Sequence, residues 1–188
     1  MHASDRTERP SRVQAEQIEA GITITNSIES FMPSARFRDL YDRSIVAWVF
    51  SRKQDDALGS RTLQLLSFRK LSLDVILHTD RGSIYTSNSF RETCRLMGIR
   101  QSFSRPENCH DNPSMESFNG TFKEEALYNQ NFENDSEPTF MDRNSMIERY
   151  IDFYNHLRPC SVIQNRVPME YRMSFMKTQR PTAESGIL

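Results

Sequence analysis

A short apolar run, Val75-Ile76-Leu77-His78-Thr79, ends in Asp80 and is stopped at once by Arg81-Gly82-Ser83. Such a run, bounded by a charged, glycine-containing turn, reads as a buried strand, so Asp80 stands where strand passes into loop. Thirty-five residues separate it from Glu116, which sits just inside a helix opened by Asp111-Asn112-Pro113. There Asn112 is the expected cap and Pro113 the first helical residue. A carboxylate at a strand end and another on a helix can bring two hard oxygen ligands to a shared divalent cation. Lys123 follows Glu116 by seven residues, two helical turns, so the two point off one face.

The rest of the chain alternates strand and helix signals. Gly21 to Thr25 reads as a short strand. Residues 30–38 are poor strand material, because Pro33, Ser34, Arg36 and Arg38 interrupt them. Ile45 to Phe50 is a strong buried strand, 54–71 a helix, 87–97 a helix stopped by Gly98, and 99–103 a strand. The helix from Pro113 carries an apolar stripe at Met115, Phe118, Phe122 and Ala126, and a last helix over 143–156 packs through Ile147, Tyr150, Ile151 and Tyr154. Asn129 to Pro138 reads as a loop. This order predicts an α/β fold, one mixed sheet flanked by helices, with its second strand damaged.

At 188 residues the chain suffices for one domain with a proper core. No apolar run approaches a membrane span, and the polar first twenty residues lack a signal-peptide core. Three cysteines at irregular spacing do not suggest a disulfide framework, so a cytoplasmic location is expected. The net charge of −1 hides an uneven distribution. Residues 81–105 carry a net of +4, 119–142 a net of −5 and 143–180 a net of +4. Basic segments on a near-neutral chain can track phosphates or be ordinary solvated surface; Arg81, Arg105 and Arg158 are the candidate DNA contacts within them. A zinc set of Cys109, His110, His156 and Cys160 fits no usual spacing. Cys94 reads as a packing thiol and Trp48 as core.

Four segments together resemble one family. They are Asp39-Leu40-Tyr41-Asp42-Arg43-Ser44-Ile45-Val46-Ala47-Trp48; His78-Thr79-Asp80-Arg81-Gly82-Ser83-Ile84-Tyr85-Thr86-Ser87; Ser102 through Asn112-Pro113 and Glu116 to Glu125; and Tyr154-Asn155-His156-Leu157-Arg158-Pro159 with Pro168-Met169-Glu170-Tyr171. In this order, over residues 39–173, they resemble the catalytic domain of DDE transposases and retroviral-type integrases, and OrfB-type insertion-sequence transposases most closely. The resemblance implies an RNase H-like fold and three carboxylates that hold two Mg2+ (or Mn2+) ions for phosphodiester cleavage and strand transfer. Asp80 and Glu116 match the second and third carboxylates, and Lys123 the lysine that contacts DNA beside them. DNA is the implied partner, with a homo-oligomer or a full-length transposase as a protein partner and no membrane. The implied organisation is an irregular segment over 1–20, a catalytic core over 21–175 and a tail over 176–188.

The chain departs from this pattern at the first carboxylate. The register of Gly21-Ile22-Thr23-Ile24 places a glycine where the family has aspartate. The family's second strand is apolar throughout, the usual RPH histidine is Cys160, and a usual glycine is Gln164. No upstream helical DNA-recognition region is found, which implies a truncated domain. A glycine supplies no side-chain oxygen, so ion binding is expected to be weak or absent and catalysis impaired roughly a thousandfold or more. Glu19, Glu29 and Asp39 are the nearby carboxylates that could substitute. Restoring aspartate at 21 is expected to improve metal binding. The competing readings are a non-enzymatic DNA-binding or transposase-interacting remnant, a product of a decaying reading frame that folds poorly, and a ribonuclease of the same fold.

Overall fold

The computed structural model describes residues 16–26, 31–68, 75–105, 113–128 and 138–178. Five strands form one sheet in the order β3-β2-β1-β4-β5. Strands β1 (Glu16–Asn26), β2 (Phe31–Asp39) and β3 (Ile45–Phe50) form an antiparallel meander. Strands β4 (Val75–Thr79) and β5 (Ile99–Phe103) join β1 in parallel. Parallel neighbours need a crossover, and helices α1 (Asp56–Leu65), α2 (Ser83–Thr86) and α3 (Asn88–Leu96) lie in those connections. The chain then adds α4 (Pro113–Phe122), a π-helical turn over Lys123–Tyr128, α5 (Phe140–His156) and α6 (Pro168–Thr178).

The sheet separates two cores. Ala35, Phe37, Val75 and Leu77 pack against Leu58 and Leu63 of α1 and Phe90 and Cys94 of α3. On the other side Met115, Phe118, Phe122 and Ala126 meet Ile147, Tyr150, Ile151 and Tyr154, together with Ile45 and Phe50. The apolar stripes expected for α4 and α5 are these contacts. Burial pushes the Cys94 thiol up to about 12, in keeping with a packing role. Trp48 is only half-buried and packs at the edge of the second core.

The second strand differs from expectation. Residues 31–39 pair with β1 and residues 34–38 also with β3, with a register shift between Phe37 and Arg38. Alternation explains the tolerance. Ala35 and Phe37 fill one core, while Ser34, Arg36 and Arg38 point to the other face, where aromatic rings receive the guanidinium groups. Arg36 lies 4.0 Å from the Phe122 ring centroid, and Arg38 lies 5.5 Å from that of Phe118.

Other boundaries also move. Strand β1 starts at Glu16, inside the segment expected to be irregular, and α6 runs to Thr178, past the expected core limit. Helix α5 starts at Phe140 because Thr139 and Asp142 form a reciprocal capping box, with Asp142 N–H donating to Thr139 Oγ1 and Thr139 N–H to the Asp142 carboxylate. Helix α6 docks on α5 and is tied to the β2–β3 turn by Arg172, which donates to Asp42 at 3.0 Å and lies 3.6 Å from Asp39. Asn112, Cys109, His110 and Glu29 lie outside the described residues. Among the described residues no helix is long and apolar enough to cross a membrane.

Candidate active site

Asp80 follows the last residue of β4 and is exposed. Its Oδ1 accepts a hydrogen bond from the Gly82 N–H at 2.8 Å. A Cβ on residue 82 would come within 2.9 Å of that same oxygen, a contact the exposed carboxylate can relieve by turning. Arg81 is exposed, yet its Nε donates to the Ser104 carbonyl at 2.9 Å, which ties the turn to the end of β5. One residue upstream of Thr79, both ring nitrogens of His78 are engaged by hydroxyls, Nδ1 with Ser102 at 3.1 Å and Nε2 with Ser104 at 3.2 Å. These contacts hold the strand end that presents Asp80.

Strand register locates Gly21, the residue that the resemblance aligns with the first carboxylate. Strands β1 and β4 pair from Glu16–Val75 to Glu19–His78. Carried two residues further, that register sets Gly21 level with Asp80. On its other side Gly21 pairs directly with Arg36 of β2. Residues 36, 21 and 80 therefore form one row across the sheet. Burial shows which face the row occupies. Val75 and Leu77 belong to the core under α1 and α3, so Ile76, His78 and Asp80 project to the opposite side, as Arg36 does.

Helix α4 covers that side and packs on β1. Glu116 is exposed in its first turn, where a carboxylate favours the helix N-terminus. Asn119, three residues on and on the same helical face, accepts a hydrogen bond from Arg36 Nη2 at 3.0 Å. Glu116 is thus one turn from a side chain bonded to the Gly21 row. Lys123 is half-buried and begins the π-helical turn, so the regular helical spacing from Glu116 ends where the lysine stands. π-Helical turns are often found at functional sites.

Two nominated arginines remain. Arg105 is exposed at the end of the β5 segment. Arg158 forms a two-pronged ion pair with Glu125, from Nε at 2.9 Å and Nη2 at 2.8 Å, and Tyr150 donates to the same carboxylate at 2.9 Å. The guanidinium, and then the phenol, hold the Glu125 carboxyl below its usual range. A cleft of about 390 Å³ beside this cluster is lined by Glu125, Met146, Tyr150 and Arg158 and includes neither Asp80 nor Glu116. Of the possible substitute ligands, Asp39 is buried beside Arg172, and Glu19 pairs with Arg38 and His78 in register, two residues before Gly21.

Arg36 and Asn119 are the site neighbours that sequence reasoning missed. Arg36 registered only as a strand breaker, and nothing local signals that its guanidinium is fully buried. Burial pushes its pKa down to about 9, so it remains a cation at neutral pH. The donor set does not fit a two-ion cage. Asp80 stands at the end of β4 and Glu116 in α4, while Gly21, which has no side-chain oxygen, pairs with the buried Arg36. Among the described residues no three His, Cys, Asp or Glu side chains converge as a metal cluster would require.

Comparison with known proteins agrees with this architecture. Residues 16–109, half of the chain, match a family described as Integrase core domain, and residues 97–168 match a second family of the same description. The transposase for insertion sequence element IS904 of Lactococcus lactis is 36% identical over 135 residues, covering 71% of this chain and 51% of that protein. An uncharacterized 31 kDa protein of insertion element IS600 from Shigella sonnei is 32% identical over 158 residues, 83% of this chain and 56% of that one. The chain thus spans about half the length of these curated relatives. Among solved structures, the HTLV-2 integrase catalytic core domain in complex with magnesium superposes with a TM-score of 0.64 at 17% identity, covering 82% of this chain and 94% of that one. A simian T-cell lymphotropic virus intasome superposes with a TM-score of 0.71 at 16% identity, covering 92% and 57%. These structures share the RNase H-like fold, with a mixed sheet between helices. The chain belongs to the integrase core domain family.

Proposed function

We propose that this chain is an insertion-sequence transposase catalytic domain that keeps a DNA-binding face and has lost most of its metal-dependent strand cleavage and joining. The observation that supports the reading is the β1–β4 register, which ends at Glu19–His78 and, extended by two residues, brings Gly21 level with Asp80. Asp80 and Glu116 have the strand-end and helix placements that the resemblance requires of its second and third carboxylates. The first, which the family places between the ions, has no side-chain counterpart. Losing that ligand is expected to lower turnover by roughly a thousandfold or more. Divalent ions, Mg2+ or Mn2+, are the family's cofactors, and weak binding at Asp80 and Glu116 is the corresponding expectation here.

DNA binding does not depend on the missing ligand. Arg81 and Arg105 are exposed at the ends of the two strands nearest Asp80, and Lys123 follows the helix that carries Glu116. Together they offer positive charge around one sheet end. The second reading, a non-enzymatic partner that binds DNA or assembles with an intact transposase, is favoured by the same pairing of a preserved scaffold with an incomplete ligand set. An oligomeric assembly fits either reading, since an intasome and trimeric and dimeric integrase cores are among the structural neighbours.

Fluorescence anisotropy with labelled duplex DNA over a salt series tests the shared part of both readings. Binding whose logarithm falls linearly with the logarithm of salt, with a slope of about −2 or steeper, is expected from several phosphate contacts. Absence of binding at 50 mM salt, roughly the low end where phosphate contacts are strongest, contradicts it.

A further inference from the structure

We infer that Arg36 is a built-in cation that closes the Gly21 row to a divalent ion, and that a carboxylate placed at residue 21 pairs with this arginine before it can hold metal. The inference rests on the reading of residue 21 as the first-ligand position. Gly21 and Arg36 are direct partners in the β1–β2 ladder. Directly opposite residues in an antiparallel pair project from the same face, with Cβ atoms about 4.5–5.5 Å apart. A side chain at 21 would therefore stand beside the arginine stem, between it and the level of Asp80.

The arginine is unusual for its depth. It is fully buried, and among the described residues its hydrogen bonds go to neutral acceptors: Nη1 to Ser34 Oγ at 2.9 Å and Nη2 to Asn119 Oδ1 at 3.0 Å. Among the described residues its Nε has no partner. The faces of Phe122 and Phe118, 4.0 and 5.7 Å from the guanidinium, supply the remaining electrostatic support. A buried cation without a carboxylate is costly, so an acceptor in reach of Nε would be strongly favoured.

The two departures from the family pattern on this row have matching signs. An anion is absent at 21, and a cation is present at 36 where the family's second strand is apolar. Each change opposes a divalent ion, one by removing a ligand and one by repulsion. This alters what Gly21→Asp is expected to do, because the new carboxylate would meet Arg36 first.

Mn2+ titration followed by the electron paramagnetic resonance of the free ion, with a thermal melt of each protein, tests this on the full chain. The four proteins are wild type, Gly21→Asp, Arg36→Met and the double variant. Gly21→Asp should melt about 3 °C or more above wild type while binding Mn2+ no more than about twofold tighter, since its charge is taken up by Arg36. The double variant should bind at least about tenfold tighter than Gly21→Asp, as expected once a third hard ligand is free. Mn2+ binding by Gly21→Asp equal to that of the double variant would overturn the inference. So would a double variant with no gain, or a Gly21→Asp protein that melts lower or fails to fold. Neither readout involves DNA, so failure here is distinct from failure of the DNA-binding reading.

Discussion

Asn155 grips both backbone groups of Ile45: its Oδ1 accepts from the Ile45 N–H at 2.8 Å and its Nδ2 donates to the Ile45 carbonyl at 3.0 Å. Ile45 opens β3, the edge strand, so a side chain from α5 stands in for a missing neighbour strand. Asn155→Ala leaves two buried backbone groups without partners and should cost about 2–4 kcal/mol in urea unfolding. A loss below about 0.5 kcal/mol, the range of ordinary surface substitutions, would mean that the pairing is incidental.

Arg158 was nominated as a DNA contact, but its Nε and Nη2 are engaged by Glu125. Arg158→Ala should therefore lower stability by about 1 kcal/mol, a modest figure because solvent reaches the pair, and leave the salt slope of DNA binding unchanged. The sign with pH follows from the depressed Glu125 carboxyl. Its contribution is complete above the ordinary value of 4.5 and is lost as pH falls through the lowered folded value. Denaturant midpoints of wild type and variant should differ above about pH 5 and converge in acid. Divergence on acidification would contradict this.

Gln164 adopts a left-handed conformation, with φ 63° and ψ 36°, after the 3-10 turn over Ser161–Ile163. Sequence comparison with the family pattern expects glycine at this place, and the backbone supplies the reason. A residue with a Cβ pays about 1–2 kcal/mol there, partly offset by the larger chain entropy of glycine. Gln164→Gly should stabilise the protein by about 0.5 kcal/mol. A destabilised variant in thermal melts would show that the Gln164 side chain contributes something the backbone does not.

Arg81 lies next to Asp80 with its Nε bonded to the Ser104 carbonyl, which orients the guanidinium along the end of the sheet. Arg81→Ala and Lys123→Ala should each reduce the salt slope of DNA binding by about 1. Both variants should keep the wild-type melting temperature to within about 2 °C, as surface changes usually do. An unchanged slope in both would move the DNA face away from Asp80.

Much of this fold was legible because its strands are apolar runs of the right length. The spans 75–79 and 99–103 coincide with β4 and β5, and the stripe from Met115 to Ala126 is the inner face of α4 and the turn that follows. Strand β1 was read too short because Glu16, Gln17 and Glu19 break the apolar signal while the backbone still pairs with β4. Strand β2 was read as damaged because local propensity counts Arg36 and Arg38 as surface residues, whereas rings from α4 and α5 bury them. Helix α6 was missed because its anchor, Arg172 to Asp42, spans 130 residues of sequence. Asp80 and Glu116 could be named from their local motifs. The partnership of Gly21 with Arg36 could not, since it exists only in the register of two strands.

Strand cleavage and joining on insertion-sequence terminal-repeat DNA, with Mg2+ or Mn2+ and an intact transposase run in parallel, tests the central claim most directly. Turnover no greater than about one-thousandth that of the intact enzyme is the result predicted for a site lacking its first carboxylate. Robust turnover by the wild-type chain that disappears in Asp80→Ala would contradict it.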